Sequence, residues 1–520
     1  MRVKPLGTGK VLVESEYRID LARLSGFRID RTPNHIHKLE GTDANGVLPL
    51  NIAADGPGST ISPARRVTPP LRLSYTLDVE TEPRAMTTGT VSLEDRFWGR
   101  GASLLLLPIG LTADLTRVQL VIDGEEIKAA QAASSFGVGR VREARISLTN
   151  LANLTFVAGS LGGAILDTPE GHDEAAWLGY PAFDPRPVAG ELALLRTMAG
   201  ETLKQHTEGT FSYLFGVTPR TAGNVSVKPT VNGLTLHIGP AEPWNGKLRL
   251  AATQHFFQRW VGGQMLVADR AHESEGLWFA AGVSRYLAAK TLTRTGFLKS
   301  TELRDEVEGH EEIARGSANA STSNSDLAAL STPESRSVLA ARGFLYAAHV
   351  DGFVREHSHG QKGIEEVLKK LIEAPKTEGR YVSRSLWLDA VTGEAGTRDD
   401  QAFDTIVRDG KVPTLPPKTF GLCLMAQNGT YTRWESGFDA VASFASGVVE
   451  GLVKGGAAEK AGLREGEYLE SATIKSERGT ATQQITVLRD GKPMLLTYPV
   501  KGTTVPGQRW TATKTEDCWK

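Results

Sequence analysis

The segment Thr253-Gln-His-Phe-Phe-Gln-Arg-Trp260 sets polar side chains at positions 254, 255 and 258. Gln254 and Gln258 are four apart and share one face of a helix. His255 sits beside them, with the side chain whose ordinary pKa lies nearest neutrality. An imidazole there can move protons, and flanking amides can orient it or a substrate. The competing interpretation is a histidine that only fills a cleft. Phe256, Phe257 and Trp260 suit a hydrophobic ligand, although such residues are more often core. Downstream, His272, Glu273 and Glu275 precede a second helix that opens Leu277-Trp-Phe-Ala-Ala-Gly-Val-Ser-Arg-Tyr286. A carboxylate there can form an acid/base couple with His255, against the plainer role of acids favoured by a helix N-terminus. The candidate catalytic set is therefore His255, Gln258 and Glu275. Gln254, Arg259 and Tyr286 are candidate ligand contacts, with no metal ligand and no cofactor.

Other histidines carry weaker signals. His349, Asp351, Glu356, His357 and His359 gather near the end of a helix, where His357-Ser-His359 has the look of a metal pair. Imidazoles are also favoured at a helix C-terminus and Gly360 is a stop signal, so capping is the preferred interpretation. His35 and His37 lie two apart on an expected strand. The chain has no G-x-S-x-G elbow, P-loop, strand-borne G-x-G-x-x-G or CxxC pair.

These residues need elements to hold them. From about Ser15 to Leu248 short alternating runs recur, as in Leu71-Arg-Leu-Ser-Tyr-Thr-Leu-Asp-Val79 and in Val118–Ile122 before Asp123-Gly124. Period two with turn residues between runs points to an antiparallel β-sandwich. From Lys247 to about Leu371 the period becomes helical, with helices expected at Leu248–Trp260, Leu277–Leu292, Ser337–Glu356 and Ile364–Ile372. The Ser/Asn/Ala-rich stretch from Gly316 to Leu330 is expected to be a flexible loop.

Bulk properties narrow the function classes. The chain has 520 residues, 40% hydrophobic and 23% charged, with a formal net charge of -1. That balance and the lack of basic runs argue against nucleic acid as partner, and no apolar stretch reaches the ~20 residues of a membrane span. Cys423 and Cys518 rule out a disulfide scaffold and leave one bridge open. Met1–Lys10 is charged but no apolar segment follows, so the protein is expected to be cytoplasmic, or exported or periplasmic with its leader removed.

The two helical segments resemble the zinc aminopeptidases of thermolysin-like fold, which carry H-E-x-x-H-x-W on one helix and L-W-F-x-E-G on the next. Trp260 stands at the motif's Trp, and Leu277, Trp278, Phe279 and Gly282 match the second motif. By that resemblance the ligand positions hold Gln254, Gln258 and Ala281, and the general-base position holds His255. Ala340-Ala-Arg-Gly-Phe-Leu-Tyr346 resembles the family's Y-x-K/R-G helix, with Ala340 in place of the tyrosine. Neutral amides are poor zinc ligands and alanine is none, so the resemblance implies a relative without zinc peptidase activity.

Ala458-Glu-Lys-Ala-Gly-Leu-Arg-Glu-Gly-Glu467, followed by Thr482–Gly491 and Met494–Val500, is similar to a PDZ domain, which binds extended peptide by strand addition. Together the features resemble the glycyl aminopeptidases. The expected class is α+β, with a β-sandwich region over 1–246, a thermolysin-like domain over 247–435, a PDZ-like domain over 436–505 and a tail over 506–520. Two functions stay open: a pseudo-peptidase that binds peptide or another ligand in the inherited cleft, with a further peptide in the PDZ-like groove; or a zinc-independent acid/base enzyme (hydrolase, lyase, hydratase or cyclase) using His255.

Overall fold

The computed structural model describes residues 1–513 except positions 57, 84–85, 87–88, 112–114, 170, 207–208, 219–224, 318, 375–378, 441, 444–447, 478–479 and 490–491. The chain forms two compact units, residues 1–197 with 206–248 and residues 198–205 with 249–520.

The first unit is β-rich. Leu71–Asp78 shows why: its alternation turns Leu71, Leu73, Tyr75 and Leu77 inward, each at most 2% exposed. This strand pairs with Lys10–Tyr17 on one side and Ile36–Asp43 on the other, inside a seven-stranded sheet. Val3, Val13, Phe27, Tyr75, Phe97 and Phe156 share one core with its neighbours. A separate five-stranded sheet runs in the order 161–168, 171–178, 212–217, 233–238, 226–230, and its 171–178/212–217 and 212–217/233–238 pairs are parallel. Parallel neighbours need a crossover. Between the first pair, helix α1 (Pro185–Leu203) supplies it, an element the alternating pattern around it does not announce.

The second unit is mainly helical. After α2 (Gly246–Gln258) comes a 3₁₀ segment, Arg270–Gly276, then a π-helical turn at Trp278–Val283 that leads into α3 (Ser284–Arg294). Next are α4 (Ser300–Gly316), α5 (Asn324–Leu330), α6 (Pro333–His357), α7 (Ile364–Glu373) and α8 (Arg384–Ala395). The expected 316–330 loop is thus half helix. Ser323 caps α5 by accepting from the Asp326 amide at 3.2 Å. The preceding turn is held by Arg342, 1% exposed, which donates to the Thr322 carbonyl (2.8 Å), Asn324 Oδ1 (2.7 Å) and the Ala320 carbonyl (3.1 Å). Burial among neutral oxygens pushes that guanidinium down to about 10.

Two glycines let α6 lie against the π-turn. A Cβ on Gly282 would come within 2.5 Å of the Ala340 carbonyl oxygen, and one on Gly343 would overlap the carbonyl of Trp278. Trp278, Tyr346, Trp387 and Phe403 fill the space around them edge to face.

The C-terminal part is an antiparallel sheet ordered Leu424–Glu435, Lys492–Ala512, Thr480–Arg489, Tyr468–Glu477. Its long strand pairs through Lys492–Val500 with residues 481–489, and through Lys501–Ala512 with residues 424–435. The expected boundary at 505/506 therefore falls inside one continuous strand. A short helix, Ala457–Lys460, packs Ala458 against Val449, Leu463, Ile485, Val487 and Tyr498. Asp490 and Gly491, at the end of the expected 482–491 run, lie outside the described residues. The sheet is anchored to α4, where Glu308 accepts from Arg509 Nη1 (2.7 Å) and from the Trp510 amide (2.8 Å). Cys423 is fully buried and disulfide-bonded, and Cys518 lies outside the described residues.

Candidate functional site

The helical period of α2 puts Phe256 and Phe257 into the core and leaves Gln254, His255 and Gln258 half-buried on the face toward the π-turn. A π-turn loosens the local ladder and presents its carbonyls. Gln254 Nε2 donates to the Ala281 carbonyl at 3.2 Å, and Gln258 Nε2 reaches the Ala280 carbonyl at 3.5 Å, a long contact. Ser284 Oγ donates its proton to the Ala280 carbonyl at 2.5 Å, with the Ala281 carbonyl at 3.1 Å. Positions 254, 258 and 281, singled out by the motif resemblance, therefore lie close in space.

The amide oxygens are engaged as well. Arg285 Nη1 donates to Gln254 Oε1 at 3.3 Å, and Gln258 Oε1 lies 2.6 Å from His255 Nδ1. Donor-only and acceptor-only partners fix both amide orientations: a guanidinium cannot face an NH₂, and a carbonyl cannot face an oxygen. The same logic assigns a proton to His255 Nδ1, which donates to Gln258 Oε1.

Beside this latch opens a cleft of about 330 Å³, lined by Gln254, Ala281 and Ala340 and by residues of α3 and α4. Ala340 and Ala281, which the resemblance sets at a tyrosine and a ligand position, both line it. Its charged wall was not anticipated from the sequence. Arg285 forks onto Glu306 through Nε (2.6 Å) and Nη2 (2.9 Å), and His310 Nε2 lies 2.9 Å from Glu306 Oε1. Burial opposes ionisation of Glu306, but His310 and Arg285 outweigh it and hold the carboxyl well below the usual range. An ionised carboxylate only accepts, so His310 Nε2 carries a proton. The ring stacks on Phe344 at 4.1 Å, and its Nδ1 is buried without a hydrogen-bond partner among the described residues. The signal in the sequence was Glu306 and His310 at i, i+4, which also describes an ordinary solvated helix face.

The remaining expected site residues disperse. Glu275 is half-buried and makes no hydrogen bond or ion pair among the described residues, so it is not coupled to His255. Glu273 is spent on Arg380 and on the Tyr381 hydroxyl, which donates to it at 2.6 Å. Arg259 is exposed and does not line the cleft. Tyr286 is a core residue whose hydroxyl donates to Asp351 Oδ2 at 2.7 Å; burial, then the Asp351 charge, push the phenol well above its ordinary value. His349 pairs with Asp399 at 3.0 Å, His357 lies against Gly396 and His359 sits in the left-handed region past the end of α6. His37 pairs with Asp78 at 2.7 Å, while His35 lies in a 3₁₀ turn. Among the described residues no three metal-ligating side chains gather.

No family model and no curated protein matches this sequence. Solved structures do match. An aminopeptidase N family protein from Idiomarina loihiensis aligns over 100% of this chain and 98% of its own, with TM-score 0.70 and 14% identity. This chain has the fold of the aminopeptidase N-type metallopeptidases. An M1 zinc metallopeptidase mutant from Deinococcus radiodurans, bound to a Tyr-Ser-Ala substrate, aligns over 80% of this chain and 94% of its own, with TM-score 0.50 and 16% identity. Yeast LTA4 hydrolase in complex with bestatin aligns over 80% of this chain and 67% of its own, with TM-score 0.50 and 12% identity.

The zinc named for the Deinococcus radiodurans metallopeptidase, and implied by the sequence resemblance, does not fit the donors present here. Zinc takes thiolate, imidazole or carboxylate donors, three of them in catalytic sites. Two carboxamides and a methyl occupy these positions, and both amide oxygens already accept from N–H donors, one of them cationic.

Proposed function

We propose that the protein is a zinc-independent relative of the glycyl aminopeptidases that binds a peptide or other small ligand in the cleft beside Gln254. The observation that carries this reading is the latch of Gln254 and Gln258 onto the 280–281 carbonyls, which uses the positions a metal would need. A volume of about 330 Å³ suits part of a short peptide or a small molecule. In this reading residues 436–505 are PDZ-like and take a second extended peptide by strand addition.

The test is elemental analysis of purified protein together with peptidase assays on glycyl and alanyl substrates. The expected result is no stoichiometric zinc and no chelator-sensitive cleavage. One tightly held zinc per chain would overturn the reading. Trialanine titrated into wild type and into Arg285→Ala should bind the former and lose affinity in the latter.

A second reading is metal-free acid/base chemistry in the same cleft. It is favoured by an oriented imidazole on the cleft wall, His310 fixed by Glu306; His255, fixed by Gln258, does not itself line the cleft. If it holds, His255→Ala or His310→Ala abolishes turnover of the substrate while the circular dichroism spectrum is retained. Full turnover in both variants removes it.

A further inference from the structure

A second pocket of the helical unit, about 500 Å³, shares no residue with the cleft. On its floor is Lys290, with a side chain only 6% exposed, which donates to Asp351 Oδ1 and Glu365 Oε2 at 2.7 Å each. On its walls Lys369 pairs with Glu366 at 2.6 Å, and Lys362 with Glu394 at 2.8 Å. These charges neutralise one another in place and hold the wall in one geometry.

Arg355, also on the wall, donates to the Thr419 carbonyl at 3.1 Å, and two further lining charges of opposite sign make no side-chain hydrogen bond among the described residues. Arg294, on α3, makes no hydrogen bond among the described residues. Its nearest carboxylate oxygen, Glu365 Oε1, is 3.7 Å from Nη1, and Glu365 is already bonded to Lys290. Glu201, at the end of α1, has no side-chain hydrogen bond or ion pair among the described residues, so it does not pair with Arg294 either. The Gln361 amide on the same wall is likewise uncommitted.

A ligand carrying only an anion would satisfy Arg294 and bring a like charge toward Glu201. A ligand carrying only a cation would do the reverse. A ligand with both charges satisfies both. We propose that this pocket binds a small zwitterion of amino-acid to dipeptide size, with its carboxylate on Arg294 and its ammonium on Glu201. The site is independent of the cleft reading.

Calorimetric titration of the full chain with glycylglycine, N-acetylglycine and glycinamide tests this. Glycylglycine should bind, and each singly charged analogue should bind weaker by about tenfold or more, the loss of one charge-assisted contact. Arg294→Gln and Glu201→Gln should each weaken glycylglycine by a similar factor. Both side chains are exposed, so the melting temperature should not move. No glycylglycine binding at millimolar concentration overturns the proposal. So does equal affinity for the analogues, an arm that needs no variant. Unchanged affinity in both variants would place the ligand elsewhere and overturn it as well.

Discussion

Glu306 has two cationic or proton-bearing partners and a side chain only 17% exposed, so its charge is both costly and compensated. Removing the charge leaves Arg285 with a weaker acceptor in a semi-buried place. Glu306→Gln should cost about 2–3 kcal/mol, toward the lower part of what broken buried pairs cost because solvent still reaches the group. The pH dependence has a definite sign. The carboxyl is held below its unfolded value, so its contribution is complete above the ordinary glutamate pKa of about 4.3 and is lost as pH falls through the folded value. Urea unfolding between about pH 7 and pH 3 should show wild type losing more stability than Glu306→Gln. Parallel curves for the two proteins would mean the carboxyl is not depressed. The sequence offered His255 as the imidazole to watch and Glu275 as its carboxylate. The structure instead gives His255 an amide partner, Gln258, and pairs His310 with Glu306, one turn before it on α4.

The crossing of α6 with the π-turn sets the positions of Ala281 and Ala340, and its closeness depends on missing side chains. An exposed helical glycine normally gains about 0.8–1 kcal/mol on conversion to alanine. Gly190, in α1, would meet nothing within 4 Å and should show that gain. Gly343 would drive its Cβ into the Trp278 backbone, which cannot swing aside as a side chain could. Gly343→Ala should therefore be destabilising by about 1–3 kcal/mol despite better propensity. Opposite shifts in melting temperature for Gly190→Ala and Gly343→Ala would check the pair; a stabilised Gly343→Ala would mean the crossing is looser than drawn. At this scale the helices were legible where apolar period and motif coincided, from Gln254 to Trp260 and from Leu277 to Tyr286. The π-turn was not, because nothing in Trp-Phe-Ala-Ala-Gly-Val distinguishes it from an ordinary helix. The order of residues 316–330 was hidden for another reason. Small polar residues look like a loop until Arg342, distant in sequence, supplies the donors that their carbonyls need.

Across the whole chain, the turn from alternating to helical pattern near residue 247 was visible in the sequence, and so was the return to strands near the end. What the pattern could not reveal was pairing. Residues after 505 look like a polar tail, yet Gln508 accepts from the Leu415 amide and donates to the Leu415 carbonyl, both at 2.7 Å, and Trp510 is 3% exposed. Deleting residues 506–520 would strip seven of the twelve registered pairs from Leu424–Glu435, those from Leu424–Ala512 through Thr430–Pro506. It would also leave Glu308 without both of its partners. The truncated chain should unfold at clearly lower temperature than the full one, read by calorimetry. Equal melting temperatures would show that the strand's second half contributes nothing.

The glutamine latch has a consequence for how such a molecule matures. In an enzyme whose two core helices are stapled by an ion, the last stitch arrives from outside, and a cell starved of that ion accumulates unfinished protein. Here the stitch is encoded: Gln254 and Gln258 close onto the 280–281 carbonyls with atoms that leave the ribosome together. On the zinc-independent reading, completion of this fold is uncoupled from trace-element nutrition, and newly made chains should reach full thermal stability in medium stripped of transition metals.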